Sequence, residues 1–218
     1  MASDPTIAAF GSSFTAITLA ELGDKTFFVA FLLAARHRAR WVFLGAFAAL
    51  AAVTLISLAL GLGLRSLLPQ ELVPWLAALL FGGFGLKLLI DAQAMGAQAA
   101  EQEAQAAEDL VNAAETNQDQ SRQSRTGGWQ VVREAFLLVF MAELGDRTQF
   151  ATIFLATAPG FTFNALLAGT LAGHALVTAL AVGAGKWVGQ LLSERLLYRL
   201  SGGLFLAFAV VALKQALG

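Results

Sequence analysis

Two nearly identical stretches dominate this sequence: AELGDKTFF at residues 20–28 and AELGDRTQF at residues 142–150. The similarity continues along the chain, because glycines, alanines and a Val-Thr pair recur in the same order at residues 45–61 and 169–185. A motif that recurs together with its surroundings indicates an internal duplication. The chain is therefore expected to consist of two related halves.

The composition around these motifs indicates a membrane protein. Of the 218 residues, 57% are hydrophobic and 13% are charged, whereas a soluble domain carries about 25% charged residues. Residues 41–64 contain no charge. As a helix they cover roughly 36 Å, enough to cross a hydrocarbon core of about 30 Å with some tilt. This pattern argues against a water-soluble enzyme and predicts a polytopic membrane protein.

Three further features limit the range of possible functions. The absence of cysteine excludes disulfides, thiolate metal sites and cysteine nucleophiles. The net charge of −1 gives no indication of a nucleic-acid partner. Residues 2–5 lack the basic region of a cleavable signal, so the first apolar segment is expected to remain as a membrane span.

We predict an all-α membrane protein with six transmembrane helices, arranged as two inverted three-helix repeats. The predicted spans are residues 6–35, 41–64, 72–91, 134–158, 163–186 and 196–216. The first repeat is expected at 1–92, an acidic cytosolic linker at 93–128 and the second repeat at 129–218. An odd number of spans per repeat makes the second copy enter the membrane from the opposite side. Secondary transporters share this arrangement and bind their substrate at the repeat interface near the bilayer midplane.

The linker and the loop charges predict the orientation. Ala, Gln and Glu favour helix in the linker, whereas residues 116–128 are interpreted as flexible, and the whole segment as a solvated tether. Basic residues are concentrated on the linker's side of the membrane, at Arg36, Arg38, Arg40, Arg122, Arg125, Arg133, Lys186, Arg195 and Arg199. The positive-inside rule makes this side cytosolic and both termini non-cytosolic. We expect a bacterial inner membrane or an internal photosynthetic membrane as the host.

Each motif offers a pair of carboxylates, because a Glu and an Asp three positions apart lie on one helix face. The glycine between them permits a local break, and the length of the first span favours one near Gly23. If the two motifs meet, carboxylates, hydroxyls and an amide form an oxygen-rich site that suits a hard divalent cation such as Mn²⁺ or Ca²⁺. The predicted metal ligands are Glu21, Asp24, Thr26, Glu143, Asp146, Thr148 and Gln149.

The same carboxylates are expected to carry protons. Desolvation and like charges both penalise the ionised form, so an empty site takes up protons that a bound metal displaces. The metal is then cargo, and no cofactor is expected. Lys25 and Arg147 are assigned supporting roles, as ion-pair partners or as substitutes for the cation. His174 is a candidate proton relay, although a lone membrane histidine more often hydrogen-bonds a neighbouring helix.

Other functions stay open at this point. Each glutamate could pair with the basic residue four positions later, as in a membrane assembly factor with structural ion pairs, but that leaves Asp24 and Asp146 uncompensated. A small-solute exporter, for example of amino acids, would share the repeats but needs a roomier polar cavity. An intramembrane enzyme is disfavoured, because no nucleophile stands at a recognisable spacing from a base. We therefore expect that the protein is not an enzyme.

The motifs ELGDKTFF at 21–28 and ELGDRTQFATI at 143–153 resemble the duplicated E-x-G-D-[KR]-[ST] signature of the Golgi, chloroplast and bacterial manganese/calcium-proton antiporter family. The resemblance continues in GHALVTALAVGAGKW at 173–187 and SGGLFLAF at 201–208. It covers nearly the whole chain apart from the central linker.

This resemblance implies a six-span fold of two inverted repeats that exports Mn²⁺ or Ca²⁺ from the cytosol in exchange for protons. The family's acidic pairs fall on Glu21 with Asp24 and on Glu143 with Asp146. The acidic linker is not explained by the motif.

Overall fold

The structure is a computed structural model that describes residues 5–69, 71–94, 98–119, 127–157, 162–191 and 194–217. All regular structure in these ranges is helical. The helices are α1 (Pro5–Glu21), α2 (Lys25–Arg36), α3 (Ala39–Leu67), α4 (Leu72–Ala94), α5 (Gln98–Asp119), α6 (Gly128–Glu143), α7 (Arg147–Thr157), α8 (Phe163–Leu191) and α9 (Glu194–Leu217).

Each motif interrupts a helix. The first break separates α1 from α2, and the second separates α6 from α7. At the centre of the breaks, Gly23 has φ 80° and Gly145 has φ 83°, and no other described residue has a positive φ. Glycine reaches this left-handed region without the steric penalty that a Cβ imposes. The break predicted near Gly23 is confirmed, and the second motif repeats it.

The helices identify an integral membrane protein. Among the described residues, three helices are long and apolar enough to span a bilayer, at Ala39–Leu67, Leu72–Gln93 and Phe163–Gly183, and a shorter apolar helix covers Gly202–Leu217. The remaining apolar segments are the interrupted ones, because each break divides a predicted span into two short helices. The predicted second span lies within α3 and the third within α4. The fourth begins earlier than predicted, because α6 starts at Gly128.

The order of the helices repeats. Helices α1 to α4 have 17, 12, 29 and 23 residues, and α6 to α9 have 16, 11, 29 and 24. Helices of one half pack against helices of the other half. Helix α3 contacts α6 and α7, α8 contacts α1 and α2, and α4 packs along α9. The core therefore forms between the two copies of the repeat.

Small residues bring these helices close together. A Cβ at Gly45 on α3 would overlap the carbonyl oxygen of Val132 on α6. At the matching place in the other half, a Cβ at Gly169 on α8 would overlap the hydroxyl of Ser13 on α1. Close backbone approach through glycine is the usual packing of membrane helices, where water provides no hydrophobic force. The absence of a side chain therefore allows close helix packing at both positions.

The linker differs from the solvated tether that the sequence analysis expected. Helix α5 runs through to Asp119 and packs on α2, with Ala107 and Val111 fully buried in the core. Arg36 at the end of α2 donates a 3.0 Å hydrogen bond from Nη2 to Asn112 Oδ1. The apolar side chains that α5 places on one face explain the contact. Residues 120–126 lie outside the described ranges, and the domain boundaries stay predictions.

Candidate metal and proton site

The two breaks place four acidic side chains in the interior of the protein. The exposed fraction is 2% for Glu21, 6% for Asp24 and 1% for Glu143, and Asp146 is half-buried. Arg147, the residue after Asp146, reaches Asp24 of the other half at 2.6 Å. The structure therefore brings together the two acidic pairs that are far apart in sequence.

Each glutamate is held by the threonine of its own motif. Thr26 Oγ1 donates to Glu21 Oε2 at 2.8 Å, and Thr148 Oγ1 donates to Glu143 Oε1 at 2.5 Å. The other oxygen of each carboxylate, Oε1 of Glu21 and Oε2 of Glu143, is buried and accepts no hydrogen bond within the described part of the chain. A buried polar atom without a partner costs about 1–3 kcal/mol. These two matched oxygens are therefore positions at which a proton or a cation would be stabilising.

The aspartates lie at the beginnings of the second helices of each break. Asp24 is the N-cap residue of α2, and Asp146 Oδ2 accepts from the backbone N–H of Thr148 at 3.2 Å. The glutamates instead end α1 and α6. A helix N-terminus favours a negative charge, whereas a C-terminus with its free carbonyls disfavours one and attracts cations. Helix dipoles thus stabilise charged aspartates and leave the glutamates in need of a positive partner.

An ion pair joins the two halves at this site. Arg147 Nη2 lies 2.6 Å from Asp24 Oδ1, with side-chain exposures of 22% and 7%. Its corresponding residue, Lys25, makes no ion pair within 4 Å to any described residue. The pair within one motif that the sequence analysis considered, between each glutamate and the basic residue four positions later, is therefore not formed. Arg147 compensates Asp24 of the other repeat, and its Nε also lies 3.9 Å from Asp146 Oδ1 of its own motif.

Gln149 has a different role in the structure. Its Oε1 accepts a 2.7 Å hydrogen bond from the backbone N–H of Gly145, which stabilises the break in the second motif. The first motif has Phe27 at this position and lacks the contact. The structure therefore does not bring the predicted amide ligand to the carboxylates in this conformation.

In the described ranges, no three Asp, Glu or His side chains converge closely enough to hold one metal ion. The contacts explain this result: Arg147 occupies Asp24, and each glutamate is tied to its own threonine. The shared cage of four carboxylates is not assembled in this conformation. The ligand set stays a prediction.

A small cavity lies beside Glu21 and has room for about one water molecule. Its polar lining also includes Thr26, His174 and Thr178, while Ala46 and other apolar residues complete the wall. His174 is buried, and its Nδ1 has no hydrogen-bond partner in the part of α8 and its surroundings that is described. The structure thus places the candidate relay at a cavity that reaches the acidic site.

One buried acidic residue was not singled out from the sequence. Glu134 on α6 is 7% exposed, and its Oε2 lies 3.9 Å from Nε2 of His37, the residue after α2. The sequence offered one indication of this residue, because Glu134 is an acidic residue at the first position of the predicted span 134–158. It does not line the cavity beside Glu21, so it is separate from the two motifs.

Comparisons with known proteins show the family of this chain. The family model for the divalent cation/proton antiporter GDT1 matches residues 9–96 and 131–218. The GDT1-like protein sll0615 of Synechocystis is 39% identical over 208 residues, 94% of this chain and 97% of that protein. The divalent cation/proton antiporter GDT1 of Saccharomyces cerevisiae is 31% identical over 239 residues, 96% of this chain and 85% of that protein. The chloroplastic protein PAM71 of Arabidopsis thaliana is 36% identical over 220 residues, 95% of this chain and 57% of that protein.

No solved structure matches this chain. The family match covers both motifs with their breaks and leaves out α5, in the same way as the resemblance seen in the sequence. That resemblance is confirmed. The chain belongs to the GDT1 family of divalent cation/proton antiporters.

Proposed function

We propose that this protein exports Mn²⁺ or Ca²⁺ from the cytosol in exchange for protons, acting as a transporter rather than an enzyme. The observation that carries the proposal is the matched pair of buried glutamate oxygens, on Glu21 and Glu143, that have no protein donor. Oxygen ligands of this kind suit hard divalent cations. The same atoms bind protons when the cation is absent, because buried negative charges need compensation.

The proposed topology is six membrane spans in two inverted repeats. Its support is the repeated helix order, the two glycine breaks and the crosswise packing of α3 and α8 on the broken helices of the other half. Broken helices near the midplane are the places where such transporters bind ions, since helix ends supply partial charges there. We place the linker's side in the cytosol, and the membrane in a bacterial or internal photosynthetic compartment.

The formal charge of the site supports a definite exchange ratio. The two motifs contain four carboxylates and two basic side chains, Lys25 and Arg147, so their formal charges sum to two negative charges. One divalent cation or two protons neutralise them. Charge balance in a low dielectric therefore favours the exchange of one metal ion for two protons.

A small-solute exporter is the weaker candidate. The cavity beside Glu21 has room for about one water molecule, which is far below the volume of a small organic ligand. A cavity of this size fits a bare ion.

The test is metal-driven proton movement in proteoliposomes that contain a pH-sensitive dye. Addition of Mn²⁺ or Ca²⁺ outside is expected to release protons in the parent protein and to give no response in Glu21→Gln or Glu143→Gln. The matched control is Asp91→Asn, because Asp91 forms an exposed ion pair with Lys87 on α4, outside the site. An unchanged response in both glutamate variants would make the carboxylates structural and favour the assembly-factor alternative.

A further inference from the structure

The cavity beside Glu21 is lined by two buried side chains that each have a polar atom without a partner. These side chains are Glu21 and His174, with exposed fractions of 2% and 4%. Glu21 Oε1 and His174 Nδ1 make no hydrogen bond to any residue in the described ranges. The first belongs to α1 and the second to α8, and these two helices pack together. One small cavity is therefore shared by two side chains that each need a hydrogen-bond partner.

The size and the chemistry of this cavity fit one water molecule. A buried water needs a space of about its own size and about two to four polar partners. The cavity has room for about one water, and its lining also includes the hydroxyl-bearing residues Thr26 and Thr178. Thr26 Oγ1 already donates to Glu21 Oε2, so Oε1 is the carboxylate oxygen that needs a donor. A water that donates to Oε1 and hydrogen-bonds His174 Nδ1 satisfies both atoms at once.

The second half has a different residue at the position of His174. In the alignment that matches Gly45 with Gly169, His174 on α8 corresponds to Leu50 on α3. Helix α3 packs against α6 and α7 of the second motif, as α8 packs against α1 and α2 of the first. The leucine side chain cannot hydrogen-bond a water. The helix that packs on the second break therefore offers Glu143 no imidazole at the matching position.

We propose that His174 is a positioning residue that holds the Glu21 carboxylate through one buried water. Thr26 then fixes one oxygen of this carboxylate and the water fixes the other. Side chains that orient a metal-binding group through hydrogen bonds raise its affinity for the ion without touching the ion. The inference rests on the proposed antiport, in which Glu21 binds the cation. Oε1 has lone pairs for both the water and the cation. Unlike a proton relay, this role requires no change in the charge of the imidazole.

The test measures Mn²⁺-driven proton movement in proteoliposomes at one fixed pH, and determines the apparent KM and the maximal rate separately. His174→Leu introduces the residue that α3 has at the matching position. It is expected to raise the KM for Mn²⁺ by roughly 10–100-fold, the usual effect of losing a group that orients a metal ligand. The maximal rate is expected to stay near the parent's, because every predicted metal ligand is retained.

Two further variants separate the hydrogen bond from packing. His174→Asn places an amide near the position of Nδ1 and is expected to recover most of the lost affinity. Val177→Ala enlarges the same cavity without removing a polar group, so its KM is expected to stay near the parent's. A parental KM in His174→Leu, or equal KM values in His174→Leu and His174→Asn, would overturn the proposal. So would a KM in Val177→Ala that rises as far as in His174→Leu.

A crystal structure of the parent protein tests the water site independently of transport. One water is expected within hydrogen-bond distance of both Glu21 Oε1 and His174 Nδ1. A direct hydrogen bond between the two side chains, or a dry cavity, would overturn the proposal. If the parent protein shows no exchange of Mn²⁺ for protons, the proposed function fails, and the crystal structure still decides whether a water joins His174 to Glu21.

Discussion

The charge count at the site predicts that transport is electroneutral. The four carboxylates of the two motifs, together with Lys25 and Arg147, have a formal charge of minus two, which one divalent cation or two protons neutralise. The perturbation is a membrane potential of 100 mV, set with potassium and valinomycin across proteoliposomes. A potential of this size is worth about 2.3 kcal/mol for each elementary charge moved. If no net charge moves, the final metal gradient is independent of the potential.

The assay measures the Mn²⁺ gradient at steady state with a fixed pH difference, with and without the potential. We expect equal gradients. Exchange of one metal for one proton would move one net charge, and the gradient would then shift by a factor of roughly 50 at 100 mV. A shift of that size would refute the charge count and would show that one carboxylate keeps its proton throughout the cycle. Asp91→Asn is the control, because its ion pair with Lys87 is exposed and is not part of the count.

Three stability predictions concern the contacts that assemble the site, measured by thermal unfolding in detergent. Gly45→Val is expected to destabilise by about 1–3 kcal/mol or more, because its side chain meets the α6 backbone, whereas Gly63→Val, with nothing within 4 Å of its Cβ, has little effect. Arg147→Met is expected to cost about 3 kcal/mol by leaving Asp24 buried without this partner, and addition of Asp24→Asn is expected to recover most of it. Equal stability of that single and double variant would contradict the role of the pair. Thr148→Val removes the donor to the adjoining glutamate and is expected to cost about 1–3 kcal/mol; no loss would mean that a water replaces the hydroxyl.

The sequence by itself determined the class of the protein and located its two acidic motifs. The shortage of charge requires a membrane environment, and two copies of the same acidic motif identify the groups that have to be compensated there. The position of the break also follows from the local chain, because only glycine takes the left-handed conformation readily, and Gly23 and Gly145 both adopt it. These features depend on the chemistry of each residue and on steric contacts with its neighbours in the chain, so they can be predicted from the sequence.

The tertiary structure determined which side chains and helices contact one another. Spacing along a helix left open a pair between each glutamate and the basic residue four positions later. The breaks remove the helical register between these two residues, and Arg147 reaches the other repeat. Gln149 supports a backbone break, and α5 packs on α2 although its composition suggested a solvated tether. The contact of Arg147 with Asp24 likewise has no signature in two motifs that are almost identical. Such choices depend on distances between groups far apart in the chain, and only the packing of the two halves fixes those distances.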